Sequence, residues 1–370
     1  MSTFIQLHML TSYPPSNLNR DDLGRPKTAI MGGKTRLRIS SQSLKRAWRT
    51  SDLFESALAG HIGKRTKRMG LEIFKRLCEK GVVESKAKDF AKEMIAFFGA
   101  TEGADKGKPL KELESSQLVH FNRSEIEALL DLADRVATEG KLDKEELKKL
   151  VAKRYDVDIS MFGRMLTGKE IVKVTDDPEA AVQVAHAVTV HDVAVEDDYF
   201  TAVDDLNSGE DDLGAAHIGE TEFGAGLFYL YLCINRDLLE ENLGDKELAK
   251  KSMKALVEAA AKVSPTGKQN SFASRAYASY ILAEKGELQP RSLSVAFLEP
   301  VKGHNQLDEA IKRLEKTRNN LDGVYYGWKP EEKDENGKPK DKIANSLPSR
   351  KINALTGEGS LSDITEFAKE

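Results

Sequence analysis

Four stretches with strand-like patterning lie far apart in this chain, and long segments of other character are inserted between them. That interruption constrains the fold more than any other feature. Residues 2–11 alternate apolar and polar groups as a half-buried strand does, and Lys34 to Ile39 does so over a shorter run. Val182 to Val195 and Phe223 to Ile234 return to β-branched and aromatic composition. Residues 61–165 instead carry Lys, Glu, Leu and Ala, with helical spacing in Leu71-Ile73-Phe74-Leu77 and in Ile126-Leu129-Leu130-Leu132. The Gly-rich run 99–109 reads as a loop between helices, and Tyr13 to Asp22 as turn-rich. Ser40 or Ser41 is placed to cap a helix from about Gln42 to Ser56. Further helices are expected at 246–262 and from Leu307 to Thr317, with a charged loop from Lys329 to Lys342. The expected class is α+β.

The formal net charge of -4 hides a strong segregation along the chain. Arg20 to Lys80 holds 16 Lys+Arg against 6 Asp+Glu. Val174 to Asn235 holds no Lys or Arg and 14 Asp+Glu. The basic segment is the electrostatic footprint of a polyanion binder. The acidic one has two readings: a solvated, nucleic-acid-repelling face, or a surface that docks on the basic segment of an identical neighbour. Two cysteines, Cys78 and Cys233, exclude a disulfide framework, and no apolar run approaches the ~20 residues of a membrane helix. Residues 1–15 show no secretory pattern, so a soluble, cytoplasmic protein without membrane partners is expected.

Catalytic motifs are sparse. Gly32-Gly33-Lys34-Thr35 lacks the first P-loop glycine, and Gly267-Lys268 is followed by Gln269 where Ser or Thr belongs. No His/Asp/Glu cluster has metal-ligand spacing, so no cofactor and no metal are expected. Asp21-Asp22, in a polar loop beside arginines, has a nuclease-like reading and a turn-capping one. The block Lys34 to Arg49 carries more chemistry. Lys45 and Arg49 share one helix face with Arg46 adjacent, while Ser40 and Gln42 stand at the helix start, where backbone N–H groups favour phosphate. Hydroxyl, amide and cationic groups together suit a ribose-phosphate backbone better than base edges. Lys141, Lys144, Lys148 and Lys149 form a second basic row, a candidate DNA contact, although Glu145 and Glu146 can pair with them along the helix.

Several blocks resemble the CasC backbone subunits of type I-E CRISPR Cascade, in the RAMP superfamily. They are Ser16 to Asp22, Ala29 to Lys34, Arg36 to Arg49, Gly163-Arg164-Met165, His186 to Thr189, Phe200 to Leu206, and Ala216 to Gly219 with Thr221 to Phe223. The resemblance spans roughly residues 1–245. It implies a right-hand-shaped, non-catalytic protein with an RRM-like (ferredoxin-like) palm, helical fingers and a β-hairpin thumb. Palm segments would lie at 1–60, 166–193 and 223–370, fingers at 61–165 and the thumb at 194–222. Copies would stack head-to-tail on a guide crRNA and present it for pairing with target DNA as an RNA–DNA hybrid. CasA, CasB, CasD and CasE would be the other partners. Carried over by motif, Lys34, Ser40, Gln42, Lys45, Arg46 and Arg49 would hold the guide backbone with Arg20 nearby, Arg164 would contact the RNA and Met165 would assist at the kink; Lys268 and Gln269 are further candidate RNA contacts. Phe200, Thr201, Val203, His217 and Ile218 would form the thumb's wedge. The acidic tip Gly209 to Gly214 is longer than the family pattern. Type III relatives cleave RNA from an N-terminal loop aspartate, which makes Asp21 or Asp22 the suspect in the endonuclease alternative. A purely structural filament protein is the third reading.

Overall fold

The computed structural model describes residues 2–150, 154–168, 171, 178–202, 217–327 and 347–370. Strands along the chain are β1 (Phe4–Ser16), β2 (Thr28–Met31), β3 (Lys34–Ile39), β4 (Lys64–Thr66), β5 (Val119–Phe121) and β6 (Val182–Val184). β7 (Ala187–Thr189), β8 (Glu196–Ala202), β9 (His217–Asn235), β10 (Tyr280–Gly286) and β11 (Ser349–Asn353) follow. The protein is α+β, and its contacts divide it into two units.

The first unit comprises 1–54, 183–234 and 253–370. Its sheet has the order β11-β10-β1-β9-β7-β3-β2, with β6 and β8 also pairing with β9. The pairs with a described register are antiparallel, for example Phe4↔Gly286 through Leu10↔Tyr280 and Arg38↔Val188. In the middle of this order β1 buries Ile5, Leu7 and Met9 completely, and Leu232 and Ile234 of β9 do the same. Buried Tyr229, Tyr231, Tyr280 and Phe297 pack in a cluster with Ala310 and Leu314 of the helix Gln306–Tyr326.

The second unit comprises 55–182 and 235–252. It is built on helices Met69–Glu79, Glu84–Ala96 and Arg123–Glu139 and a small sheet of β4 and β5. Ile73, Leu77, Met94, Phe98, Phe121, Leu129 and Leu132 make its core. Asn122 and Glu125 form a reciprocal capping box at the start of Arg123–Glu139, and Gly140 closes it in the left-handed region at φ 71°.

Three expectations are adjusted. The first strand does not stop at the turn-rich run but continues through Pro14 and Pro15 to Ser16. Pairing with β10 ends at Leu10, so the missing proline N–H groups leave no gap in that ladder. The single helix expected from Gln42 to Ser56 is two, α1 (Ser41–Arg49) and α2 (Asp52–Ala57). Ser51 makes the break: its hydroxyl donates to the Trp48 carbonyl at 2.7 Å and accepts the Phe54 N–H at 3.3 Å. Val182 to Val195 is two short strands rather than one, interrupted where the Ala185 N–H donates to the Tyr231 carbonyl. The helix at 246–262 and the loop at 99–109 stand as expected. The charged loop from Lys329 to Lys342 lies outside the described residues.

Candidate nucleic-acid interface

A cleft of ≈ 480 Å³ in the first unit is lined by Leu18, Asn19, Arg20, Asp21, Ser43, Arg46, Ala47, Thr50, Thr266 and Gly267. Three separate chain segments therefore meet around two arginines. Helix α1 supplies one wall because its sequence splits cleanly: Leu44 and Trp48 are buried, while Gln42 and Arg46 face solvent. Ser40 accepts the Ser43 N–H through its hydroxyl at 3.3 Å, and its own N–H donates to Asn19 Oδ1 at 2.8 Å. The last turn of α1 holds Arg46 and Arg49, which complement the helix dipole, while its first turn holds no acid. Lys45 is half-buried, and burial pushes its ammonium below the ordinary value. Lys34 is exposed at the start of β3, just after Gly32 and Gly33, both at positive φ.

The N-terminal loop is shaped by asparagines that no motif in the sequence singles out as functional. Asn17 is fully buried, and its Nδ2 donates both to the Gly24 carbonyl at 3.0 Å and to the Glu222 carbonyl at 2.9 Å. Their signal was the Asn-Leu-Asn pattern in a turn-rich run, since Asn side chains commonly bond nearby backbone. Asp21 Oδ1 accepts the N–H groups of Leu23 at 3.0 Å and Arg25 at 2.9 Å, which is the turn-capping role. Asp22 is exposed. Among the described residues no group of three or more His, Cys, Asp or Glu is arranged to hold a metal ion.

β8 and β9 pair as a hairpin from Glu196↔Phe223 to Ala202↔His217. Every β8 residue is exposed, including Tyr199 and Phe200, and Ile218 is exposed opposite Thr201. The Phe200 ring covers Gly219 so closely that a Cβ there would stand 2.3 Å from it. Glu196, Asp197 and Asp198 face Phe223, Glu222 and Thr221, so the described hairpin is acidic with an apolar streak. Val203 and the tip Gly209 to Gly214 lie outside the described residues, as does the side chain of His217.

Lys268 and Gln269 sit beside the cleft rather than inside it. Lys268 Nζ donates to Thr221 Oγ1 at 2.9 Å. The remaining candidates belong to the second unit. Met165 is 72% exposed. Arg164 corrects the expectation of an RNA contact: its side chain has no solvent exposure and is bonded to Glu125 at 2.7 and 2.9 Å and to the His120 carbonyl at 3.2 Å. A guanidinium so enclosed neutralises a buried carboxylate and presents nothing to a ligand. Of the basic row, Lys148 pairs with Glu145 at 2.6 Å and Lys144 with Glu93 at 2.7 Å, while Lys141 and Lys149 are exposed. The Glu93 hydrogen bond raises the Lys144 pKa above its ordinary value.

Comparison with known proteins matches the chain to a family model. The model of the CT1975-like protein family fits residues 5–358. The chain is 33% identical to a chain in a solved structure described as a CRISPR RNA-guided surveillance complex, pre-nicking. That match covers 87% of this chain and 89% of the other, with a TM-score of 0.76. A second solved CRISPR RNA-guided surveillance complex contains a chain at 27% identity, with a TM-score of 0.67, covering 87% of this chain and 88% of that one. No curated protein matches. The family model spans nearly the whole chain, and with it both units: the chain belongs to the CT1975-like protein family.

Proposed function

We propose that this protein is a guide-RNA-binding backbone subunit of a Cascade-type surveillance complex, of the type I-E CasC kind. The observation that carries this reading is the likeness, over 87% of the chain, to a subunit of an RNA-guided surveillance complex. The cleft supports it. Arg20 and Arg46 converge there with the hydroxyl of Ser43, a set suited to a phosphodiester and blind to base identity. Gln42, Lys45 and Arg49 extend the track along α1, and Lys34, exposed at the start of β3, is a further contact in this reading.

In this reading the sheet of the first unit is an RRM-like palm, the second unit is the fingers, and the β8–β9 hairpin is a thumb. Phe200, Thr201 and Ile218 press on the RNA of the neighbouring copy and unstack one nucleotide, at a cost of a few kcal/mol per step. Their acidic flanks face the neighbour's basic segment, so copies associate head-to-tail. The guide is left with its base edges outward, and sequence is read by pairing with target DNA. The protein performs no catalysis itself, and other Cascade subunits are its partners.

The test is titration of the purified protein into end-labelled single-stranded RNA with Mg²⁺, on native and denaturing gels, at several salt concentrations. A ladder of shifted species with intact RNA, weakening steeply with salt, is the expected result. Absence of any RNA binding, or discrete cleavage products, overturns the reading.

A further inference from the structure

Three consecutive residues at the root of the β8–β9 hairpin are each gripped by a different partner. Thr221 is held through its hydroxyl by Lys268 Nζ at 2.9 Å. Glu222 is held through its carbonyl by Asn17 at 2.9 Å and through its carboxylate by Arg25 at 2.9 Å. Phe223 is held by the ring of Phe272, 6.0 Å between centroids. Two of these partners, Lys268 and Phe272, belong to one short loop.

That loop is the one place among the described residues where non-glycine side chains adopt positive φ. Lys268 stands at φ 46° and Ala273 at φ 49°, on either side of the four-residue helix Gln269–Phe272. A Cβ disfavours this conformation, so surrounding contacts must hold it in place. Gly267 supplies one of them, lying so close to the Leu18 carbonyl that a Cβ would stand 2.3 Å from its oxygen. Gln269 Oε1 is buried with no hydrogen-bond partner among the described residues. A strained backbone and an unmet acceptor thus fall in the same short segment.

We propose that Lys268 is a positioning residue with two alternative acceptors: the Thr221 hydroxyl in the free protein and a guide phosphate in the loaded one. The inference rests on the RNA-binding reading above and adds a coupling between RNA occupancy and hairpin orientation. Thr266 and Gly267, the two residues before Lys268, line the cleft that holds Arg20 and Arg46, so the Lys268 backbone stands at the edge of that cleft. A phosphate oxygen is a stronger acceptor for an ammonium than a neutral hydroxyl. On transfer the root loses its tie at Thr221 and keeps those at Glu222 and Phe223. The hairpin is therefore aligned before loading and gains freedom to settle once RNA is bound. By linkage, whatever weakens the Lys268–Thr221 bond strengthens RNA binding.

The experiment compares RNA affinity of the full-length wild type, Thr221→Val, Thr221→Ser, Lys268→Met and the Thr221→Val/Lys268→Met double variant on one single-stranded RNA oligonucleotide. Thr221→Val removes the competing acceptor and keeps the β-branched shape, so affinity rises about two- to tenfold, the worth of one hydrogen bond. Thr221→Ser binds as wild type, Lys268→Met binds more weakly, and the Thr221→Val gain disappears in the double variant. A merely structural role predicts instead that both single substitutions weaken binding. Hydrogen exchange over 217–223 in the wild type is the second measurement and needs no substitution: RNA accelerates it if Lys268 changes partner. Unchanged or weakened affinity in Thr221→Val, a gain that survives in the double variant, or exchange that RNA leaves untouched overturns the inference while the RNA-binding reading stands. A wild type that binds no RNA overturns both.

Discussion

His8 Nε2 lies 3.1 Å from Glu284 Oε2, and both side chains are completely buried between β1 and β10. The other ring nitrogen, Nδ1, is 2.9 Å from the Tyr229 hydroxyl, which itself accepts the Leu293 N–H at 3.0 Å. That hydroxyl donates to Nδ1, so the neutral imidazole carries its proton on Nε2 and gives it to the carboxylate. Arg291 and Arg318 reach Glu284 at 3.2 and 2.7 Å, and Asp322, 2.6 Å from Arg291, supplies the second negative charge.

Burial lowers the His8 pKa from 6.5, against the pull of Glu284. Burial alone would raise Glu284, but the His8 hydrogen bond and the arginines bring it down to about 2. Both shifts act in the same direction. Below pH 6.5 the unfolded chain takes up a proton at His8 that the folded one refuses, and below about pH 4.5 the same holds for Glu284 until the folded pKa near 2 is passed. Thermal midpoints should fall progressively from pH 6.5 downward, and His8→Gln should flatten the upper part of that fall. Glu284→Gln, which leaves Arg291 and Arg318 short of a counter-charge, should cost about 3–5 kcal/mol at neutral pH. An identical pH profile in His8→Gln would contradict the assignment.

Arg164→Met should destabilise the second unit by about 3–5 kcal/mol, because it strands the buried Glu125 carboxylate. Arg164→Met combined with Glu125→Leu should recover much of that loss. Urea unfolding followed by circular dichroism reads both. RNA affinity of the folded single variant should match the wild type, in contrast to the RNA contact expected from the Gly-Arg-Met motif.

Reversing two charges on α1 with Lys45→Glu/Arg49→Glu should abolish RNA-dependent assembly. Milder Lys45→Gln/Arg49→Gln should weaken binding and reduce the slope of log affinity against log salt by about 0.7 for each phosphate that is no longer neutralised. Filter binding across a salt series gives that slope. An unaltered slope would remove these two residues from the phosphate track.

Asp21→Ala should cost about 1 kcal/mol through the loss of two hydrogen bonds to backbone N–H groups of its turn. Asp22→Ala, at an exposed position, should cost less than about 0.5 kcal/mol. RNA incubated with Mg²⁺ and either variant, or with wild type, should remain full length on a denaturing gel. Cleavage by wild type that disappears in one variant would favour the endonuclease alternative.

Much of the architecture was legible because periodicity survives without context. The strand at Lys34 to Ile39, the helix at 246–262 and the helical character of 61–165 all rest on spacing that one element imposes by itself. What was illegible depends on long-range partners. Arg36 belongs to the basic segment by composition, yet it is fully buried and spends its guanidinium on the carbonyls of Thr189 at 3.0 Å and Phe297 at 3.0 Å. Arg76 and Lys80 likewise converge on Asp134, more than fifty residues away in sequence. A count of charges cannot separate such cations from those that face the cleft. Asn17 was hidden for the same reason: its second acceptor is 205 positions along the chain.

β9 runs unbroken for 19 residues, from the hairpin into the middle of the large sheet. Gly224 and Gly226 mark the crossing, where a Cβ would stand 2.9 Å from a Leu37 methyl and 2.6 Å from a Thr189 methyl. Past the ties at Thr221, Glu222 and Phe223, the described residues of the hairpin are an overhang carried by a strand anchored elsewhere. Its length is consequently independent of the core: each pair of residues added or removed at the far end, one per strand, changes its reach by about 3.4 Å and leaves the facing of every remaining side chain unchanged. Evolution can tune this ruler without repacking the domain that holds it.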